Sequence, residues 1–352
     1  MISIEIFELV RVLVPAAAAF CVGMFGARIL THYLYKYKAW KKTPGKIALD
    51  GSSASEFNRL HEKHEVRAPR MGGIVVWGSV VLVALGIALL EITELNFVTR
   101  SQTWIPLATL LIGSLVGLAD DLAVIRLNGN GRGVPLWLRL CVVVLLSTFI
   151  GWWFYDKLDV VAINIPFSSP FEIGIFIVPL FVFVSLALYA SGVIDGIDGL
   201  SGGVFASVFA SYALIAFSQQ QIDLAAFCAT VVGGILAFLW YNIPPARFYM
   251  TDTGTMGLTL TIAVVAFMTD NLGGGVGISV LPIVGALLVA TVASDVLQVV
   301  WKKFFGRKLF LIAPLHHHFE ALGWPGYKVT MRYWVLSMVF AFLGVIFALV
   351  AV

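Results

Sequence analysis

Five aspartates of this chain stand in short motifs whose residue types suit metal-assisted chemistry. They are the adjacent pair Asp120 and Asp121, the pair Asp195 and Asp198 in a glycine-rich stretch, and Asp252 beyond two consecutive prolines. Adjacent carboxylates repel each other, and a cation relieves that repulsion. Oxygen ligands without a Cys/His set suit Mg²⁺ better than Zn²⁺, and Mg²⁺ is commonly shared with substrate phosphates. The aspartates therefore indicate phosphoryl transfer, which depends mainly on positioning and charge neutralisation.

Three consecutive internal histidines, His316, His317 and His318, are the second feature that could do chemistry. Successive side chains on a helix diverge by about 100°, so a helical segment could not direct all three at one ion. One or two imidazoles could instead donate to phosphate oxygens, or one could shuttle a proton. A charged loop at a membrane surface would also explain them, and the sequence leaves both interpretations open.

Each aspartate motif also has a structural interpretation. The pair at Asp120 could end a helix in solvent beside a basic neighbour, and Asp252 could cap the helix that follows it. The stretch from Asp195 to Asp198 could be a capped glycine-rich turn, although that loop holds no basic residue to partner its carboxylates. A site is favoured there, because residues three apart share a helix face and glycines let a ligand approach the backbone.

The elements that position these residues are predicted to be transmembrane helices. The 352 residues are 60% hydrophobic and only 12% charged, whereas a soluble domain carries about a quarter charged residues. Several apolar runs exceed the roughly 18 residues that indicate a spanning helix. We therefore expect an all-α integral membrane protein with residues 1–352 in one polytopic domain. The three cysteines lie within apolar runs and are predicted to be small core residues.

Charges between the apolar segments predict an orientation. Nineteen of the 23 lysines and arginines fall in the odd-numbered loops, which the positive-inside rule assigns to the cytoplasm. Both termini then face outward, and the aspartate and histidine motifs all lie at the cytoplasmic face. The external loop alternates over residues 160–167, which predicts a short hairpin. The ten predicted segments are 8–32, 72–92, 104–122, 135–154, 173–191, 201–217, 222–240, 255–268, 277–300 and 332–351.

A segment near the C-terminus carries the most specific motif, Ala313-Pro-Leu-His-His-His-Phe-Glu320, followed by Gly323-Trp-Pro325 and Arg332-Tyr-Trp334. With its aspartate motifs, the chain resembles the polyprenyl-phosphate N-acetylhexosamine-1-phosphate transferases over nearly its whole length. The histidine motif is most similar to that of the phospho-N-acetylmuramoyl-pentapeptide-transferase family within them. The resemblance implies a fold of ten helices.

The resemblance also implies a reaction and its setting. Phospho-MurNAc-pentapeptide would pass from UDP-MurNAc-pentapeptide to undecaprenyl phosphate, giving lipid I and UMP with Mg²⁺ as cofactor. That is the first membrane step of peptidoglycan synthesis, in the bacterial cytoplasmic (inner) membrane. Family members are commonly dimeric, so the implied partners are the two substrates, membrane lipid and a second copy, with no nucleic acid.

Residue roles follow from the same resemblance. Asp120 and Asp121 would form the acidic pair near the lipid phosphate, one of them deprotonating or orienting it, and both would lie in the metal site. Asp252 would ligate Mg²⁺. His316, His317 and His318 would contact the diphosphate or sugar. The nucleoside-diphosphate pocket would be lined by Asp195, Gly196, Asp198, Asn242 and Tyr249, the tyrosine stacking on uracil.

Three positions depart from the family pattern. Arg70 stands where a threonine precedes Met-Gly-Gly, Gly192 lies where Asn-Leu-Thr is usual, and Thr251 replaces the glycine of Met-Gly-Asp-Thr-Gly. These changes could alter phosphate or nucleotide binding. They leave open a related transferase that uses another UDP-N-acetylhexosamine, or a weakly active or inactive paralogue. A transporter is disfavoured, because its polar groups would lie near the membrane midplane rather than at one face.

Overall fold

The computed structural model describes residues 2–40, 68–126 and 133–351, and over these ranges the chain is almost entirely helical. Short 3₁₀ turns at Thr93–Leu95, Gly174–Phe176 and Gly192–Ile194 join some of the helices. The described residues form α1 (Ile2–Lys36), α2 (Ile74–Leu89), α3 (Trp104–Arg126), α4 (Leu136–Lys157), α5 (Ile177–Ser191), α6 (Leu200–Ser218), α7 (Ile222–Asn242), α8 (Asp252–Met268), α9 (Gly277–Val284), α10 (Ala286–Phe305), α11 (Leu315–Ala321) and α12 (Gly326–Val350).

Membrane-spanning character is confirmed by the length and composition of these helices. Seven are long and apolar enough to cross a membrane, or eight if α9 and α10 form one span, while α2 and α8 are shorter apolar helices. Every one of the ten predicted segments contains helix, so the all-α prediction is confirmed. The count of ten spans, the outward termini and the cytoplasmic site stay predictions. Several of the orienting charges, Lys41, Lys42, Lys46, Arg59, Lys63, Arg67 and Arg132, lie outside the described residues.

The predicted ninth segment, 277–300, differs from the structure because it is not one straight helix. It consists of α9 and α10, which meet at Gly285 at an angle of 72°. Pro282 lies inside α9, and a proline removes a backbone donor and crowds the carbonyl four residues before it. A bend of this size is typical of proline and glycine in combination.

Helix α8 lies at the centre of the molecule, where every residue from Thr253 to Met268 is buried. Its sequence is apolar or hydroxylic all round, as expected for a helix enclosed by others. Helix α3 crosses α8 closely at two glycines. A Cβ atom on Gly113 would lie 2.9 Å from Gly257 Cα, and one on Gly117 would lie 1.9 Å from the Asp252 carbonyl oxygen. Small residues permit such close backbone contact between helices.

A two-stranded antiparallel hairpin, β1 (Ala162–Ile163) with β2 (Phe171–Glu172), confirms a short hairpin in this loop. Buried Asp270 anchors it by accepting the backbone N–H groups of Asn164 (2.8 Å) and Ile278 (3.0 Å). Burial raises the pKa of Asp270 to about 6, although its backbone hydrogen bonds oppose the shift. This carboxylate joins the hairpin to the segment between α8 and α9.

The prediction that all three cysteines are core residues is wrong for two of them. Cys228 is buried in α7, whereas Cys21 and Cys141 are exposed on α1 and α4. An apolar run on a membrane helix does not distinguish a buried face from a lipid-facing one, because both are apolar.

Candidate active site

Three carboxylates from two helices form one cluster. One oxygen from each of Asp120, Asp121 and Asp252 lies within 4.8 Å of the others. The pair belongs to α3, just beyond the Gly117 contact, and Asp252 is the first residue of α8. The sequence predicted that these aspartates lie at one face of the membrane, and the structure brings them together in one cluster. Oxygen atoms in such a group could hold a hard divalent cation.

Asp121 is the most enclosed of the three, with a side chain 0% exposed. Its Oδ1 accepts from both Nε and Nη2 of Arg70, each at 2.8 Å. Its Oδ2 accepts from the hydroxyls of Thr251 and Thr253 and from the Thr253 backbone N–H at 3.1 Å. This carboxylate is therefore fully engaged with the protein.

Asp120 and Asp252 both contact a second arginine, Arg139. Nη1 of Arg139 lies 3.0 Å from Asp252 Oδ2 and 3.5 Å from Asp120 Oδ2. Asp120 Oδ1 accepts the backbone N–H of Val134 at 2.6 Å. The Asp252 side chain is 29% exposed, against 5% for Asp120, so Asp252 is the most accessible carboxylate of the cluster.

The three carboxylates of the cluster stabilise the positive charge of Arg70. Burial alone would lower the pKa of Arg70, but Asp121, Asp252 and Asp120 together keep that pKa above its ordinary value. The guanidinium is therefore a permanent cation beside the carboxylates. It partly offsets their mutual repulsion without any bound ion.

The loop between α5 and α6 lies against the same site, and its aspartates bond within the fold. Asp195 accepts from Ser201 Oγ at 2.6 Å and from the Thr251 backbone N–H at 2.7 Å. Burial raises the pKa of Asp195, and both hydrogen bonds oppose the shift. Asp198 accepts the Ala246 backbone N–H at 3.0 Å. These contacts agree with the structural interpretation, and substrate binding by this pair stays a prediction.

Two further predicted pocket residues, Asn242 and Tyr249, lie at the end of α7 and in the segment that follows it. Buried Asn242 accepts the Gly199 N–H at 2.9 Å and donates to the Phe248 carbonyl at 2.8 Å, so it fastens two loops together. Tyr249 is half-buried, and its backbone pairs with Pro69 and Gly72. The turn that carries Asp252 is thereby held against the start of α2.

The three histidines do not all face one point, as expected for a helix. They lie on α11, where His316 and His317 are buried with ring centroids 4.3 Å apart. A Cβ on Gly196 would lie 2.6 Å from His317 Nε2 and 2.8 Å from His316 Nε2, so both rings pack on the Asp195–Asp198 loop. His318 points elsewhere and accepts the Leu311 N–H at 3.2 Å. The structure joins the first two histidines to the predicted pocket.

The chain is similar to known transferases. Residues 103–270, which include the whole carboxylate cluster, match the model of glycosyl transferase family 4. A phospho-N-acetylmuramoyl-pentapeptide-transferase from Chloroflexus aggregans is 30% identical, over 99% of this chain and 92% of the relative. One from a Geobacillus species is 32% identical, over 85% and 89%. One from Listeria monocytogenes is 29% identical, over 94% and 95%.

The chain belongs to the phospho-N-acetylmuramoyl-pentapeptide-transferase family. Membership confirms the resemblance on which the transferase prediction depends. The family-model match ends at residue 270, before the histidine segment. The relative with 99% coverage aligns with that segment as well.

Two of the three departures from the family pattern contact the same carboxylate, that of Asp121. Arg70 and Thr251 lie 181 residues apart but bind opposite oxygens of Asp121. Gly192 lies at the end of α5, where a Cβ would contact Thr255 at 3.3 Å. The first two departures therefore lie inside the carboxylate cluster, and the third lies beside it.

Sequence reasoning missed part of the site. The sequence predicts Arg139 only as an orienting charge, and it does not indicate Tyr189. Half-buried Tyr189 lies near Arg139. A signal for Arg139 is its place within a predicted apolar segment, since ionisable residues inside membrane segments are often functional. Tyr189 gives no such signal, because aromatic residues are common in membrane helices.

Proposed function

We propose that the chain transfers phospho-MurNAc-pentapeptide from UDP-MurNAc-pentapeptide to undecaprenyl phosphate, releasing UMP and forming lipid I. The observation that carries the proposal is the cluster of Asp120, Asp121 and Asp252, balanced by two arginines, in a member of this family. Such a group of opposite charges suits a reaction in which phosphate charge must be held and redistributed.

The residues of the cluster fit Mg²⁺. Asp120, Asp121 and Asp252 supply only oxygen atoms, and the described group includes no sulfur or imidazole ligand. A bound Mg²⁺ would neutralise charge on the donor diphosphate. Arg70 and Arg139 would balance the carboxylates and attract the anionic substrates.

The remaining roles are assigned to the predicted residues. One carboxylate of the Asp120–Asp121 pair would deprotonate or orient the lipid phosphate. His316, His317 and His318 would contact the diphosphate or sugar. The nucleoside-diphosphate pocket would be lined by Asp195, Gly196, Asp198, Asn242 and Tyr249.

The proposed setting is the bacterial cytoplasmic membrane, with the site at the cytoplasmic face. The donor is a charged, soluble nucleotide and the acceptor is a lipid, so the reaction belongs where a membrane meets the cytoplasm. The excess of lysine and arginine in the odd-numbered loops supports this orientation. We propose a homodimer, as in the family.

The deciding experiment is UMP release by purified protein in detergent, supplied with undecaprenyl phosphate. UDP-MurNAc-pentapeptide and UDP-GlcNAc are compared as donors, each with Mg²⁺ and with EDTA. We expect release with the muramoyl donor, and only in the presence of Mg²⁺. Equal release in EDTA would contradict the metal requirement.

A second function is favoured by one observation, the placement of Arg70 and Thr251 inside the cluster. A transferase that uses another UDP-N-acetylhexosamine would release UMP with UDP-GlcNAc alone. Failure of both donors with folded protein would favour an inactive paralogue instead. The same assay therefore separates all three possibilities.

A further inference from the structure

The three carboxylates of the cluster are not equivalent in their hydrogen bonding. A carboxylate offers about four acceptor positions. Asp121 receives two contacts from Arg70, one from Thr251 and two from Thr253, which fill both of its oxygens. Asp252 accepts from Arg139, and its carboxyl group also lies within hydrogen-bond reach of that of Asp120. Asp121 therefore has no oxygen to spare for an ion, whereas Asp252 does.

Asp121, which accepts the most hydrogen bonds, is also the least exposed to solvent of the three carboxylates. The side chains are 0% exposed for Asp121, 5% for Asp120 and 29% for Asp252. An ion would have to break charge-assisted hydrogen bonds to reach Asp121, and these are the strongest of their kind. It would reach Asp252 directly.

A positively charged nitrogen, Nη1 of Arg139, lies between the carboxylates of Asp120 and Asp252. Arg139 Nη1 lies 3.0 Å from Asp252 Oδ2 and 3.5 Å from Asp120 Oδ2. These two oxygens therefore converge on a position that a single positive charge can fill. Both oxygens of Asp121 are instead held by Arg70 and the threonines.

The backbone at Thr251 shows that the Asp121 contacts are maintained against strain. Thr251 has φ 54° and ψ −171°, a conformation that a β-branched residue rarely adopts. Its hydroxyl donates to Asp121 and accepts the Met71 N–H at 3.1 Å. Strained residues persist where the surrounding structure fixes them, and they cluster at functional sites.

We propose that Asp121 is a positioning residue, and that Asp120 and Asp252 alone ligate the divalent cation at the point where Arg139 now bridges them. Arg70 and Thr251 fix Asp121, and Asp121 in turn fixes the turn that leads into Asp252. The inference rests on the proposed metal-dependent function and assigns a separate part to each of its three carboxylates.

The test replaces each aspartate by cysteine and compares a soft metal with a hard one. Asp120→Cys, Asp121→Cys and Asp252→Cys are made with the exposed Cys21 and Cys141 changed to alanine. Binding of Cd²⁺ and Mn²⁺ to each purified protein is measured without substrate. A thiolate ligand favours Cd²⁺, so we expect the Cd²⁺/Mn²⁺ affinity ratio to rise about tenfold or more at 120 and 252. The ratio should not change at 121.

The matched variants separate this inference from the proposed function. All three lose one carboxylate charge, so a change of ratio reports ligation and not charge alone. A rise at position 121 equal to that at 252 would overturn the inference and leave the metal site intact. Absence of Mn²⁺ binding by the unaltered protein would overturn the proposed metal site itself.

A second pair of variants keeps Asp121 in place, should its replacement prevent folding. Thr251→Val removes the hydroxyl and retains the shape, and Thr251→Ser restores the hydroxyl. We expect Thr251→Val to lower turnover by about 10- to 100-fold, with recovery in Thr251→Ser. Mn²⁺ should bind Thr251→Val no more tightly than the unaltered protein. Tighter binding would mean that a freed Asp121 oxygen ligates the ion, and the inference would be wrong.

Discussion

Asp120 and Asp121 are neighbours in sequence, yet they contact different partners. Successive helical residues point about 100° apart, so one faces Val134 and Arg139 while the other faces Arg70 and the threonines. Adjacency in the sequence therefore predicted that the two carboxylates lie in one cluster but could not predict their separate environments. Each environment depends on residues that lie far away along the chain.

Asp252→Asn tests the most accessible carboxylate. Losing its charge should lower UMP release by about 100-fold or more, because a preorganised charge at a phosphoryl-transfer site is lost. The fold should persist, since Asp252 is partly exposed. UMP release and the thermal unfolding midpoint are measured together.

The control for this variant is Asp223→Asn. It removes a half-buried ion pair with Arg11, of 2.8 Å, at the far end of α7 from Asn242. Turnover should be unchanged in the control. Undiminished turnover in Asp252→Asn would remove Asp252 from the proposed metal site.

The sequence predicted the carboxylates and histidines because their residue types are unusual in apolar surroundings. It could not predict that Arg70 and Thr251 meet at Asp121, because the two positions are 181 residues apart and only the folded chain joins them. It also could not separate substrate contact from loop fastening at Asp195, Asp198 and Asn242. Their hydrogen-bond partners are mostly backbone groups, which carry no sequence signal.

At the scale of elements, the contact between α3 and α8 sets the position of the carboxylates. Gly117 lies against the Asp252 backbone, so a Cβ there would overlap the carbonyl oxygen at 1.9 Å. A change of side-chain rotamer could not relieve this overlap, because the atom that the Cβ would meet belongs to the main chain. The two helices must therefore separate if residue 117 is enlarged.

Gly117→Ala should destabilise the protein by about 1–3 kcal/mol or more. Displacing Asp252 by about 1 Å should lower turnover by about 100-fold. Gly26→Ala is the matched control, because nothing lies within 4 Å of its added Cβ. The control should keep full turnover, with stability unchanged or raised by up to about 1 kcal/mol. Equal behaviour of the two variants would contradict the packing argument.

Asp270 performs an anchoring role at the hairpin, apart from the carboxylate cluster. Asp270→Asn should destabilise the protein by about 1–3 kcal/mol, because an amide NH₂ would face the Asn164 or Ile278 N–H and leave a buried donor unpaired. UMP release per folded molecule should not change. Asp156→Asn removes only an exposed pair with Lys157 and should have an effect below about 1 kcal/mol. A thermal midpoint for Asp270→Asn equal to that of the control would be inconsistent with anchoring.

Helix positions were predictable because apolar runs of this length have few alternatives. The break at Gly285 was not predicted, since a proline inside an apolar run is tolerated in many membrane helices. The short helix α11 was treated as part of a loop, because seven residues give too little periodicity to identify it.

The orientation of the whole molecule can be tested by cysteine labelling. Ser169→Cys in the hairpin loop and Lys308→Cys after α10 are exposed positions in predicted opposite loops. They are made separately, with Cys21 and Cys141 replaced. In intact cells, a membrane-impermeant maleimide should label residue 169, and it should label residue 308 only after the membrane is opened. The reverse pattern would place the carboxylate cluster on the outer face.

Fold class was predictable at this scale because composition alone separates a helical membrane protein from a soluble one. Orientation depends on the lysine and arginine bias, and part of that bias lies outside the described residues. Family membership was predictable from motifs, since the histidine segment is specific. Donor choice was not, because any effect of the departing residues Arg70 and Thr251 on the donor depends on contacts with Asp121 that form only in the folded chain.

The spacing of the Asp121 partners has a consequence for how the chain is made. Arg70 is 51 residues from Asp121, whereas Thr253 is 132 residues away. The ribosome therefore completes α3 long before α8, and the carboxylate meets the bilayer with a guanidinium available but without its hydroxyls. The cost of inserting an unpaired carboxylate is greatest at the centre of a spanning helix, about 3 kcal/mol, and Asp121 lies near the end of α3. During synthesis Arg70 is available to neutralise this carboxylate before Thr251 and Thr253 have been added to the chain.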